Sequence, residues 1–336
     1  MTRIAITLWL GLIGAMSTFL VPEARSASCR SGNGCRALIP LADGMSMPAF
    51  TSHTLAAPGA GLRRAVIVIH GSGRTARSYF KRMMRATERA GKVGQTLVIA
   101  PHFTVLSDIN ERAAGELYWE RNSHWKQGEE SARRGGRRIS AFAVIDQLRA
   151  RLRDRHFFPA LSHLVVIGHS AGGQFVQRYA VGNSIEEGHV RYRVRYIVAN
   201  PSSYMYFDDH RPDGDGFARQ LGGPSCPVNV YKYGIEGRNN YMSRAPVAEM
   251  AARYRQREVL YLLGGEDKYS DARSLDRRCA ARAQGPHRLA RARNYMRYMD
   301  RFHTPHRHRL SVVPGIGHSS RRIFLSNEGM DAVFGW

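Results

Sequence analysis

Gly168-His169-Ser170-Ala171-Gly172 follows the apolar run Val165-Val166-Ile167 and precedes a helix-like stretch from Gln174 to Ala180. A serine is presented at a strand end only if the chain turns sharply, and such a turn presses the residues two before and two after it against neighbouring backbone. Glycines at 168 and 172 supply the absent Cβ atoms. The pattern predicts a nucleophile elbow with Ser170 Oγ exposed. The backbone N–H of Ala171 then lies at the start of the next helix, where a developing oxyanion is stabilised.

Serine is a weak nucleophile alone and needs a histidine base oriented by a carboxylate. His318 sits in Val313-Pro314-Gly315-Ile316-Gly317-His318, a Gly-rich turn just past the last predicted strand. Asp267 follows the preceding strand in Leu263-Gly264-Gly265-Glu266-Asp267, where the shorter carboxylate can hold an imidazole rigidly; Glu266 is expected to face solvent or pair with an arginine. Asp271 and Asp208 are the reserve carboxylates. A second oxyanion donor is expected from the backbone of Ser72 or Gly73, in the turn His70-Gly71-Ser72-Gly73-Arg74 after an early strand. His70 itself is expected to bond loop backbone.

Arg74, Trp119, Trp125 and Tyr204 are candidates for lining a substrate pocket, with loop anchoring the competing role for Arg74 and the two tryptophans. His303-Thr304-Pro305-His306-Arg307-His308 invites a metal reading, but Pro305 breaks any helix and the neighbouring arginines repel a cation. No metal and no cofactor is expected.

These side chains need a scaffold that brings strand ends together. Arg64–His70, Thr96–Ala100, Tyr196–Asn200, Val259–Leu263 and Leu310–Val313 read as buried strands, most of them apolar on both faces as parallel sheets require. Helical segments are expected near 76–90, 139–155, 247–256 and 288–301. In 139–155 the residues Phe142, Ile145, Leu148 and Leu152 form one face, and Asp146, Arg149 and Arg153 point away from it. The alternation predicts an α/β domain with a doubly wound, mostly parallel sheet. Residues 102–138 lack a clear period and read as a lid-like insertion above it.

With the His70-Gly71 turn, the Gly168–Gly172 elbow, Asp267 and His318 in this order, the chain resembles the α/β-hydrolase superfamily over roughly residues 62–334. The strings Gly168–Gln174 and Gln284-Gly285-Pro286-His287-Arg288 are similar to those of secreted bacterial and fungal hydrolases. One departure is His-Gly-Ser-Gly at 70–73, where many esterases carry His-Gly-Gly-Gly; it weakens any inference of a preference for tertiary-alcohol esters.

The first 26 residues read as a signal peptide, with Arg3, an apolar run from Ile4 to Val21 and Ala24-Arg25-Ser26 before the cleavage point. An uncleaved membrane anchor is the alternative. Residues 27–61 are expected to form an N-terminal extension and 62–336 the hydrolase-like domain. Cys29, Cys35, Cys226 and Cys279 suit an oxidising compartment, secreted or periplasmic. Three pairings are possible, and Cys29–Cys35 with Cys226–Cys279 is preferred because the first two are close in sequence.

The formal charge is +23, and only five of the 50 basic residues are lysine. Such a surface attracts polyanions or acidic substrates, but no recognised nucleic-acid motif accompanies it, so specific nucleic-acid binding is not expected. Taken together, the residues predict an exported serine hydrolase cleaving a small-molecule or polymeric carboxylic ester. Amide cleavage or acyl transfer on the same fold is the near alternative, and a non-catalytic polyanion-binding envelope protein the distant one.

Overall fold

A computed structural model describes residues 35–108, 115–133, 136–185, 192–220 and 222–335. Strands and helices in chain order are β1 Cys35–Pro40, β2 Ser46–Thr51, β3 Arg64–Ile69, α1 Ala76–Arg89, β4 Thr96–Pro101, α2 Asn122–Trp125, α3 Ala141–Leu152, β5 His163–His169, α4 Ala171–Gly182 and β6 Arg193–Ala199. They continue with the hairpin β7 His210–Asp213 and β8 Gly216–Arg219, then α5 Val247–Gln256, β9 Glu258–Gly264, α6 Cys279–Arg282, α7 Arg288–Phe302, β10 Arg309–Val313, α8 Ser320–Leu325 and α9 Asn327–Phe334.

Eight strands form one sheet in the order β1-β2-β4-β3-β5-β6-β9-β10. All neighbours pair in parallel except β2, which runs antiparallel to both β1 and β4. The expected doubly wound, mostly parallel sheet is therefore present. Alternate residues divide its two faces. Ile67, Ile69, Val166, Val198 and Leu263 join α3, α4, α5 and α7 in one core. Val66, Val68, Val165, Ile167, Ile197 and Leu262 join α1, α8 and α9 in the other. This is why the central strands read as continuous apolar runs.

The expected separation of 27–61 from the domain does not hold from Cys35 onward. Residues 35–51 supply two strands of the same sheet, with Met47 and Ala49 fully buried. Their signal was weak because both strands are short and β2 is interrupted by Pro48, which donates no ladder hydrogen bond.

The expectation that Asp146 and Arg149 point away from the buried face of α3 is also corrected. Arg149 is fully buried, donating to Tyr196 Oη at 2.9 Å, Asn183 Oδ1 at 3.1 Å and Tyr179 Oη at 3.3 Å. Asp146 accepts from the hydroxyls of Tyr179 and Tyr241, each at 2.8 Å. Asp146 and Arg149 thus face a polar layer of tyrosines and Asn183, while Arg153 is exposed.

Cys226 and Cys279 form a disulfide with Cα atoms 5.2 Å apart, tying the irregular stretch after β8 to α6. Cys29, and with it the Cys29–Cys35 pairing, lies outside the described residues, as does the segment 1–26. Among the described residues, no helix is long and apolar enough to cross a membrane.

Candidate active site

Ser170 joins β5 to α4 with φ 61° and ψ −117°, a backbone conformation L-residues seldom adopt. The flanking glycines explain how the turn closes. A Cβ on Gly168 would strike the backbone of Gly172, and one on Gly172 would strike the carbonyls of Ile69 and His70. The Ser170 N–H donates to Ala199 O on β6 at 2.9 Å, and Ser170 O accepts the first helical bond from Gln174 at 3.1 Å. The strained residue is thus held on both sides.

His318 lies on the turn after β10. That turn is laced to the one after β9, because Gly265 N–H donates to Val313 O at 2.8 Å and Glu266 N–H to Ile316 O at 2.9 Å. The lacing brings three groups into line. Ser170 Oγ is 3.0 Å from His318 Nε2, and His318 Nδ1 is 2.7 Å from Asp267 Oδ2. With the ring proton on Nδ1, His318 donates to Asp267 and accepts from the serine hydroxyl.

Asp267 is 2% exposed. Burial pushes its carboxyl pKa up, but the hydrogen bond and charge of His318, the Arg288 guanidinium and the Asn200 amide together hold it below its ordinary value. Asn200 Nδ2 donates to Asp267 Oδ2 at 2.6 Å, and Arg288 Nη1 approaches Oδ1 at 3.4 Å. Glu266 is exposed and pairs with Lys268, not with an arginine. Neither reserve carboxylate approaches His318: Asp271 is exposed, and Asp208 accepts from the backbone of His210.

Behind the base, the His169 ring packs on that of His318 with centroids 4.5 Å apart. Burial, then the nearby His318, hold the His169 pKa well below its ordinary value, so the ring is neutral. It fills the space behind His318 without adding a competing charge.

Ser72 lines a cavity with Ser170 and Ala171, and Gly73 one with Ser170. Their turn is closed by Arg74 N–H to Gly71 O at 3.0 Å, and Ser72 O accepts from both Arg74 Nη1 and Asn122 Nδ2 at 3.0 Å. Among the described residues, the backbone N–H groups of Ser72, Gly73 and Ala171 make no hydrogen bond. His70 bonds backbone as expected, with Nδ1 2.9 Å from Gly71 O and Nε2 accepting from Phe103 N–H at 3.0 Å. Full burial holds its pKa down to about 3.

Two cavities meet at Ser170. One, of about 350 Å³, is lined by Gly71, Gly73, Arg82, His318 and Arg321. The other, of about 440 Å³, is lined by Ser72, Ala171, Gln174, Lys126, Lys232 and the loop 273–278.

None of the four pocket candidates lines either cavity. Trp119 and Trp125 are fully buried against Phe103, and their indole N–H groups donate to Glu129 O at 2.9 Å and Asn122 Oδ1 at 3.0 Å. They anchor the 102–138 insertion to the core; its residues Ser123 and Lys126 are the ones that reach the cavity. Tyr204 is buried and stacked on Tyr295. Arg74 holds Asp108 with two hydrogen bonds, Nη2 to Oδ1 at 2.7 Å, and ties its loop down.

Sequence reasoning missed Asn200 and Lys232 as site residues, although Asn200 stands just beyond a strand end. The Gln284–Arg288 string also has a structural meaning. Gln284 bonds both backbone groups of Tyr204 at 2.8 Å, His287 caps α7, and Arg288 reaches Asp267. His303, His306 and His308 engage separate partners, Tyr298, Asp300 and Tyr254 O.

No family model matches the sequence, and no curated protein is significantly similar to it. Solved structures do match. Poly(aspartic acid) hydrolase-1 from Sphingomonas sp. KT-1 is 22% identical, with 90% of this chain and 98% of that chain covered and a TM-score of 0.61. The LpqC poly(3-hydroxybutyrate) depolymerase from Bordetella parapertussis is also 22% identical, with 92% and 93% covered and the same TM-score of 0.61. At that identity the likeness speaks for architecture alone. The sheet order, the strand-to-helix turn at Ser170 and these likenesses together give the chain the α/β-hydrolase fold.

Proposed function

We propose that this chain is an exported serine hydrolase that cleaves carboxylic esters through an acyl-enzyme on Ser170. The observation carrying the proposal is the continuous hydrogen-bonded path from Ser170 Oγ through His318 to a buried, ionised Asp267. A serine in line with an oriented imidazole is the arrangement this chemistry needs.

His318 Nε2 takes the serine proton as Oγ attacks the acyl carbon. The resulting oxyanion is held by the free N–H of Ala171 with that of Ser72 or Gly73. His318 then returns the proton to the leaving alkoxide, the C–O bond breaks, and the acyl group stays on Ser170. Water, deprotonated by the same nitrogen, releases the acid. Because His318 must reach the leaving oxygen, the leaving group belongs in the cavity lined by His318 and Arg82, and the acyl chain in the one lined by Ala171 and Gln174.

Amide cleavage is the second reading, favoured by the likeness to a protein named as a poly(aspartic acid) hydrolase. The neighbours' names also favour a polymeric substrate. Export is supported by the Cys226–Cys279 disulfide. The test is turnover of 4-nitrophenyl esters against matched anilides. Ester turnover that falls about 10⁴-fold or more in Ser170→Ala supports the proposal. Faster anilide turnover would move it to the amide reading, and salt-sensitive heparin binding with no turnover of either would favour a binding protein.

A further inference from the structure

Of the five lysines in this arginine-rich chain, two face the cavity assigned above to the acyl group. Lys126 and Lys232 share its wall with Arg273, Arg277 and Arg278, and Asp276 is the one carboxylate among the lining residues. That carboxylate is already engaged: its Oδ2 accepts from Lys232 Nζ at 2.6 Å and from the Tyr233 hydroxyl at 2.7 Å.

One carboxylate thus serves the whole wall: Arg278 leans on Tyr233 and on the same Asp276, and among the described residues no further anion lines the cavity. Among the described residues, the Lys126 ammonium makes no hydrogen bond or ion pair, and Arg273 and Arg277 make none through their side chains. Behind the wall, Arg178 is fully buried and donates only to neutral acceptors, the carbonyls of Lys126 and Lys232, Gln174 Oε1 and Ser203 Oγ. Lys126 and Arg178 are shielded from water while Arg273 and Arg277 are exposed at the cavity mouth, so the wall presents like charge that an anion would relieve. The half-buried Lys126 ammonium and the Arg273 and Arg277 side chains on one side of a reactive serine, with the buried Arg178 adding positive field from behind, make a site for such an anion.

We infer that this cavity selects acyl groups carrying a carboxylate beyond the reacting carbonyl, so that the substrates are esters or amides of dicarboxylic or polycarboxylic acids. The inference rests on the serine-hydrolase reading, because that reading decides which cavity holds the acyl chain. Lys126 and Arg277 bind the distal carboxylate, while Lys232, already tied to Asp276, adds field without moving. The acidic product leaves as a dianion, so higher ionic strength weakens both substrate and product binding.

Initial rates on mono-4-nitrophenyl adipate and on 4-nitrophenyl hexanoate test this, since the two share chain length and leaving group and differ in the distal carboxylate. The expected ratio of kcat/KM is about tenfold or more in favour of the adipate ester. It should shrink as sodium chloride is raised and collapse toward one in Lys126→Gln and Arg277→Gln. Arg85→Gln, on the exposed side of α1 and away from both cavities, should leave the ratio unchanged. Turnover of both esters at equal rates, or an equal loss of the ratio in the Arg85 variant, would overturn the assignment while leaving the hydrolase reading intact. Turnover of neither ester would instead count against the hydrolase reading itself.

Discussion

Asn200 Nδ2 donates to the same Asp267 oxygen that accepts from His318, so one carboxylate atom is shared by a fixed amide and the imidazole. Asn200 holds this position from a left-handed backbone, φ 45°, just beyond β6. It is a positioning residue, acting on His318 through Asp267. Asn200→Ala should lower kcat about tenfold with KM nearly unchanged, because the base loses orientation while the cavities stay intact. Asp267→Asn should lower kcat by about 10⁴-fold, through the wrong histidine tautomer. Steady-state kinetics on one ester separate the two; a KM effect with constant kcat in Asn200→Ala would contradict the positioning role.

Acid stability draws on carboxylates held below their ordinary pKa, Asp276 and Asp267 at the site among them. For Asp276, burial pushes up, but the charge and hydrogen bond of Lys232 pull harder and bring it down to about 2; Asp267 is lowered with the same sign. The unfolded chain therefore binds more protons than the folded one between about pH 4 and 2. Stabilisation is present above the unfolded value and disappears as pH falls through the folded one. The urea midpoint should drop across that window, less steeply in Asp276→Asn. Parallel slopes in the two proteins would contradict the assignment.

The elbow depends on glycine backbone contacts. Gly172→Ala places a methyl against the carbonyls of Ile69 and His70, within the packed centre of the sheet. The expected loss is about 3 kcal/mol or more, seen as a lowered Tm or poor soluble yield. Gly94→Ala, with open space around it and no positive φ, is the control and should be nearly neutral. Equal stability of the two variants would show that the turn can relax.

The disulfide closes a 53-residue separation. Reduction should cost about 4 kcal/mol by the loop-entropy relation. The 273–278 loop runs directly into Cys279, so the same treatment should raise KM for anionic esters more than for neutral ones. Calorimetry and kinetics with and without a reductant check both parts, and an unchanged Tm would contradict them.

The meeting of the three candidate side chains was legible because each sits at the end of a buried strand, and fully apolar strands followed by Gly-containing turns are strong local signals. Ser170, Asp267 and His318 all have that context. The cavity lining was not legible. Trp119 and Trp125 drew attention as large aromatics, yet size and apolarity sent them into the core, and their smaller or charged neighbours Ser123 and Lys126 were left facing the serine. Arg149 misled for the converse reason: its charge set it apart from the apolar face, but Tyr179, Tyr196 and Asn183 oxygens accept from it inside. Helical period reveals which face is apolar, and it carries no information about a polar layer built between helices. The edge strand β1 and its neighbour β2 escaped because β1 is largely exposed and Pro48 interrupts the pattern of β2.

The most direct test is covalent. A fluorophosphonate probe, followed by peptide mapping of the folded protein, should label Ser170 alone. Labelling should vanish in Ser170→Ala and slow by orders of magnitude in His318→Ala. Labelling at another residue, or undiminished labelling of Ser170→Ala, would contradict Ser170 as the nucleophile.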